Sequence, residues 1–147
     1  MTEIIAFIAW TFVMYWVHRL VHAIPALKKI HYNHHAFVSK NTVTKWHWSN
    51  LFLFNDNFMS TVDLWISDVI PTVIFAAITG HWWIAMMYYV WAALIQERVE
   101  HNNDVNLYPW ITSGRWHMVH HRVGNKNYGL FIPVWDQIFK TEQKLKG

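Results

Sequence analysis

The chain has 147 residues, enough for one domain, of which 54% are hydrophobic, 18% aromatic and only 14% charged. Soluble proteins carry roughly 25% charged residues, so this composition reads as a membrane protein rather than a water-soluble globule. The absence of cysteine excludes disulfides, Fe–S clusters and a thiolate-ligated haem.

From Ile4 to Val17 the chain is uncharged and runs directly into His18, which predicts a first membrane span over residues 3–20. A retained anchor is expected rather than a secretory signal: Glu3 makes the start acidic, and no small-residue cleavage site precedes the first histidines. The sequence HRLVH (His18, His22) continues this helix out of the membrane. Residues 26–37, after Pro25, read as a short helix carrying HYNHH (His31, His34, His35). Lys40 to Thr44 is polar and loop-like, and Leu51 to Phe58 reads as interfacial.

Val69 to Ile95 contains no Asp, Glu, Lys or Arg. As one helix it would be about 40 Å long and would put His101 and the last histidines across the membrane from His18–His35. A hairpin turning at Thr79-Gly80, where glycine tolerates the geometry of a turn, keeps them together. The expected arms are residues 62–79 and 81–97, with Asp63 and Asp68 near the interface, a kink at Pro71, and a re-entrant first arm as the alternative. The C-terminal region reads as a helix bearing HMVHH (His117, His120, His121), a turn over Gly124–Gly129 and a short amphipathic tail. No strand signal stands out. The expected class is therefore an all-α integral membrane protein with about three spans, forming one domain over residues 1–147.

The net charge of +3 does not point to nucleic acid, because of where the charges fall. Arg19, Lys28, Lys29, Lys40 and Lys45 lie between the apolar regions, Arg98, Arg115, Arg122, Lys126, Lys140, Lys144 and Lys146 follow the last one, and none lies in between. That asymmetry predicts both histidine regions on the cytoplasmic side, and Trp46, Trp48, Trp82, Trp83, Trp110 and Trp116 sit where interfacial aromatic belts belong.

Of eleven histidines, eight fall in the three boxes and His101 follows the last apolar run. Positions i, i+3 and i+4 share a helix face, so each box can aim its imidazoles at one point, and imidazole suits Fe, Zn, Cu and Ni. Eight or nine ligands exceed the four of a structural zinc site and suit two ions. A structural zinc site or a wet, helix-stabilising patch is the competing reading. A transport relay would put ionisable groups inside the spans, whereas these lie beyond the span ends. His47 and His81 read as ordinary surface or interfacial residues, and Glu97 and Glu100 as solvated interfacial carboxylates.

The order HRLVH, HYNHH, Glu100-His101-Asn102 to Leu107, then HMVHH resembles the fatty acid hydroxylase and sterol desaturase superfamily of integral membrane di-iron enzymes. The ending Asn127-Tyr128-Gly129, Trp135-Asp136, Phe139 and Thr141 is similar to that family's tail. Carotenoid ring hydroxylases share the boxes but not, on this reading, the tail. The resemblance implies two iron ions (Fe2+/Fe3+) held by His18, His22, His31, His34, His35, His101, His117, His120 and His121, with zinc as a substitute in purified protein. It implies O2-dependent hydroxylation or desaturation of a membrane lipid, whether fatty acyl, sterol, isoprenoid or carotenoid. A ferredoxin or cytochrome b5-type donor would meet the basic loops, and a homo-oligomer would compensate for fewer spans than the family's usual four. Asn127, Tyr128 and Asp136 are expected to support the ligands and Trp135 to pack. Some relatives carry a further histidine where this chain has Val105; Glu97, one turn before His101, is a candidate replacement. A non-catalytic membrane metal-binding protein or inactive relative is the alternative function.

Overall fold

The computed structural model describes residues 1–40, 46–55 and 57–144. The loop expected over Lys40–Thr44 lies outside the described residues except for Lys40, which closes a helix. The first helix, α1 (Glu3–Ala23), buries Ala6, Trp10, Met14, Tyr15, His18, Val21 and His22 on one face. On the other it exposes Ile4, Ile8, Phe12, Trp16 and Leu20. A helix apolar on both faces needs an apolar medium outside as well as a core inside. It stops at Ile24, whose backbone is extended. Pro25 then opens α2 (Pro25–Lys40), at a first-turn position where its missing N–H costs no helical hydrogen bond. The corner folds α2 back on α1, so the second box comes to face the first. The helix runs three residues beyond the expected end at 37.

His47 caps a 3-10 turn, Trp48–Phe52, and Asn57 caps α3 by accepting from the Ser60 N–H at 2.8 Å. Helix α3 (Phe58–Thr79) has 22 residues, about 33 Å at 1.5 Å per residue against a hydrocarbon core of about 30 Å. It starts before the expected residue 62. The irregularity expected at Pro71 falls just before it, in a π turn over Trp65–Val69 where the Ile70 N–H reaches the Trp65 carbonyl. Helix α3 ends at Gly80, with φ +74°, and residues 82–99 return as α4, with a second π turn at Trp91–Ile95. The hairpin turn thus falls at the glycine expected to make it.

After a loop with an isolated Asn106–Gly114 bridge come α5 (Arg115–Val123) and α6 (Val134–Ile138); among the described residues there is no strand. The tail docks on α1. Trp135 Nε1 donates to Thr11 Oγ1 at 3.1 Å, Tyr15 and Thr141 share a hydrogen bond at 2.9 Å, and Phe139 stacks on Tyr15. Trp135 therefore bonds as well as packs.

Two helices, α1 and α3, are long and apolar enough to cross a membrane, and only 39% of each hydrophobic window is buried within the chain. That leaves most of either helix turned outward, unlike the core helix of a soluble domain. The inner faces meet at Trp10, which is fully buried and donates from Nε1 to Thr72 Oγ1 at 3.0 Å. Replacing Thr72 with Val strands this N–H in an apolar core, and a stranded buried donor costs about 1–3 kcal/mol. Thr72→Val should lower the unfolding free energy in detergent by that much, measured by tryptophan fluorescence across a denaturant titration.

Candidate metal centre

His18 and His22 occupy the last turns of α1, the HYNHH box lies in the middle of α2, His101 follows α4, and the last box lines α5. The corner at Ile24, the hairpin at Gly80 and the loop before α5 bring all nine into one cluster. His18, His22, His31 and His120 place ligand nitrogens within 4.8 Å of one another, and so do His34, His101 and His121. His35 joins the two groups, with Nε2 2.9 Å from His31 Nε2 and its ring stacked 4.3 Å from that of His121. His117 Nε2 lies 3.0 Å from His121 Nε2. His47 and His81 stand apart: His47 caps its turn, and His81 Nδ1 is 3.4 Å from Glu3 at the far end of α1.

The other ring nitrogen of several histidines is fixed. His18 Nδ1 lies 2.9 Å from the Tyr128 carbonyl, His120 Nδ1 2.7 Å from the Lys126 carbonyl, and His31 Nδ1 2.8 Å from Asp63 Oδ2. A carbonyl or carboxylate can only accept, so each Nδ1 carries the proton and each Nε2 lone pair points inward. Burial first, then mutual repulsion of the imidazoles, pushes His31, His34, His117, His120 and His121 well below the usual 6.5. His35 and His101 fall to about 4, burial again leading. The cluster is neutral at pH 7, as metal ligation requires.

These donors fit a metal. The Nε2 atoms of His22 and His120 are 3.1 Å apart, and those of the His31–His35 and His117–His121 pairs are similarly close. Two nitrogens each about 2.1 Å from one ion and at right angles stand about 3 Å apart. His18 Nε2, His101 Nδ1 and His121 Nδ1 are buried without a hydrogen-bond partner, and a buried polar nitrogen ordinarily has one.

The fatty acid hydroxylase family model matches residues 4–141. The chain belongs to the fatty acid hydroxylase family. It is 27% identical to the Delta(7)-sterol 5(6)-desaturase erg3B of Aspergillus fumigatus over 134 residues, 90% of this chain and 36% of that protein. A probable Delta(7)-sterol 5(6)-desaturase of Neurospora crassa is 28% identical over 133 residues, again 90% and 36%. Mouse lathosterol oxidase is 25% identical over 155 residues, covering all of this chain and 48% of that protein. The chain thus spans about a third of the fungal relatives' length and half of the mouse protein's. No solved structure matches it. The histidine clusters could bind metal, and the family is iron-dependent.

The C-terminal tail braces the cluster. Asp136, fully buried, accepts from the Tyr128 N–H at 2.8 Å, the Gly129 N–H at 2.6 Å and Thr141 Oγ1 at 2.7 Å. This clamp presents the Tyr128 carbonyl to His18. Gly129 is required: a Cβ there would lie 2.7 Å from Asp136 Oδ2. Asn127, at φ +57°, accepts from the Gln143 N–H at 2.7 Å and donates to the Trp116 carbonyl at 3.2 Å, tying α5 to the tail. The Tyr128 ring packs on His18, His22 and His120.

Two sequence readings need correction. Glu97 and Glu100 are buried, at 7% and 5% exposure, not solvated at an interface. Glu100 Oε1 lies 3.8 Å from His117 Nε2, and burial, then the charge of Glu97, raises its pKa to about 7. Asp63 is not merely tolerated near the interface; it holds His31. A charge in an apolar arm, shared there with Asp68, was the available signal, whereas the carbonyls of Tyr128 and Lys126 left none. Val105 contributes its carbonyl to the Arg115 N–H at the start of α5.

Removing the His31 acceptor with Asp63→Ala should weaken iron binding by about 10–100-fold, measured as iron per chain after dialysis against graded chelator. For the metal-free protein, the unfolded chain binds histidine protons below pH 6.5, while in the folded cluster His35 and His101 take theirs only near pH 4 and His31, His34, His117, His120 and His121 are also held well below 6.5. Between these values the unfolded state holds more protons, so stability falls as the pH drops. The metal-free melting temperature should therefore decline as the pH falls from 6.5 to about 4.

Proposed function

We propose that this chain is an O2-dependent di-iron oxidoreductase that hydroxylates or desaturates a membrane lipid. The observation that carries this reading is the convergence of nine neutral imidazoles, eight of them buried, in two adjoining groups. His18, His22, His31 and His120 would hold one ion and His34, His101 and His121 the other, with His35 and His117 completing the set. Bound iron supplies the redox reach that attack on an unactivated C–H bond needs and that no side chain has. The chain's own residues orient and enclose. Asp63 and the Tyr128 and Lys126 carbonyls fix ring tautomers, Leu130 and the helix faces keep the cluster from bulk water, and Glu100 can hold or release a proton beside His117 near neutral pH. Sterols are the first substrate class to test, because the relatives described above are named for sterol desaturation or lathosterol oxidation.

The same reading takes residues 1–147 as one domain, α1 and both hairpin arms as spans, and the metal centre as cytoplasmic. Arg115, Arg122, Lys126 and Lys144 would then meet an acidic electron donor such as a ferredoxin or cytochrome b5-type protein.

Expressed with iron and air, the chain should add oxygen to a host lipid or remove two hydrogens, read by mass spectrometry of lipid extracts. His120→Ala should abolish the product while the protein still inserts; extracts indistinguishable from empty-vector controls would refute the enzymatic reading. Since the chain has no cysteine, introduced ones report topology. Thr2→Cys and Gly80→Cys should react with an impermeant maleimide from one side of the membrane, and Asn33→Cys and Arg122→Cys from the other.

A further inference from the structure

Two cavities lie back to back across the segment 130–131. The inner one, about 30 Å³, is lined by His18, His31, His101, Glu100, Gln96 and Leu130 among others. The outer one, about 340 Å³, is lined by Met86, Met87, Val90, Trp91, Ile95 and Phe131. Leu130 faces the first and Phe131 the second; Gln96 faces the first and Ile95 the second. The wall between the metal cluster and the outer groove is thus one residue thick along both strands of chain that build it.

The groove suits hydrocarbon. All six lining side chains are apolar, and it opens on the outward face of α4, where Met86, Val90 and Ile95 are exposed. This face belongs to the apolar hairpin, so the mouth lies at the depth of lipid tails. The inner cavity has room for a water or two, too little for any lipid. A substrate carbon can reach the cluster from this side only if the wall yields.

The wall is built as a part under tension. Phe131 adopts φ +65°, a left-handed conformation that is an outlier for a bulky side chain and one that concentrates at functional sites. It is held there by the Thr112 N–H on the Phe131 carbonyl at 3.2 Å and by the Ile132 N–H on the Leu130 carbonyl at 2.8 Å. Its ring wedges between Trp10 and Trp91, with centroids 5.2 and 5.0 Å away. Trp91 and Ile95 begin and end the π turn of α4, a local widening that recurs at functional sites.

We propose that this groove admits the hydrocarbon part of a membrane lipid sideways from the bilayer, and that Phe131 with Trp91 selects what passes to the metal cavity. The proposal rests on the lipid-oxidising reading above, and commits to a lipid rather than a second copy of the chain because the groove backs directly onto the metal cavity.

The test uses the full chain in phosphatidylcholine vesicles. One arm contains palmitic acid with a mid-chain diazirine, and the other a cholesterol with a side-chain diazirine. After illumination, label should concentrate on Met86, Met87, Val90 or Phe131 relative to Ile74 and Ile78, which are exposed on α3 and do not line this groove. The arm that labels tells acyl chain from sterol. Val90→Trp should cut groove labelling by about tenfold or more, the scale on which apolar pockets discriminate methylene-sized changes. Ile78→Trp should not. Met86→Trp, at a more exposed site, substitutes if Val90→Trp fails to insert. Phe131→Ala should carry label inward to Leu130 and broaden the range of lipids oxidised.

Groove labelling equal to that at Ile74 and Ile78 overturns the proposal, as does recovery of crosslinks from the groove to another copy of the chain. Labelling requires no turnover, so the two readings fail separately. Label without product supports the groove and removes the enzyme, whereas product that survives the loss of label in Val90→Trp overturns the groove alone.

Discussion

Nine imidazoles packed into one dry site are tolerable only while all of them are uncharged. Burial enforces that neutrality by driving the ring pKa values down, and each ring's proximity to its neighbours drives them further. Neutral rings then need their Nδ1–H groups accepted and their Nε2 lone pairs gathered, because a buried polar atom without a partner is costly. The rest of the architecture answers that demand. The Ile24–Pro25 corner turns the second box against the first, Gly80 returns the chain so that His101 arrives on the same side, and α5 closes the cluster from above.

The last thirty residues stabilise the centre as much as the helices do. Asp136 gathers two backbone N–H groups and the Thr141 hydroxyl, and the same tail bonds to Thr11 and Tyr15 on α1. A displacement of this segment would move the Tyr128 carbonyl from His18 and the Leu130–Phe131 wall together. The tail thus couples the orientation of His18 to the position of the Leu130–Phe131 segment.

Much of this was legible in the sequence because helical spacing carries it directly. The i, i+3, i+4 histidines, the uncharged runs and a glycine in mid-run specify which faces are apolar, where the chain turns and which rings converge. What could not be read was what depends on tertiary contact. Glu97 and Glu100 look like interfacial carboxylates from their place after an apolar run, and only packing against the second and third boxes buries them. Asp63 is separated from His31 by 32 positions, so no local pattern joins them. The π turns at Trp65–Val69 and Trp91–Ile95 leave the apolar pattern intact and are invisible to periodicity. Phe131 offers no sign of its backbone conformation, since a left-handed residue is normally announced by glycine or asparagine, as it is at Asn127.

The supports of the two histidine groups are unequal. In the first, His31 rests on a carboxylate while His18 and His120 rest on backbone carbonyls. A carboxylate partner raises the basicity of the imidazole it holds, and a carbonyl fixes orientation with less electronic push. In the second group Glu100 stands beside the cluster, with Oε1 3.8 Å from His117 Nε2. The two halves of the cluster would present different fields to a bound cation: one holds a ring backed by a carboxylate, the other stands beside a carboxyl group able to change charge near neutrality.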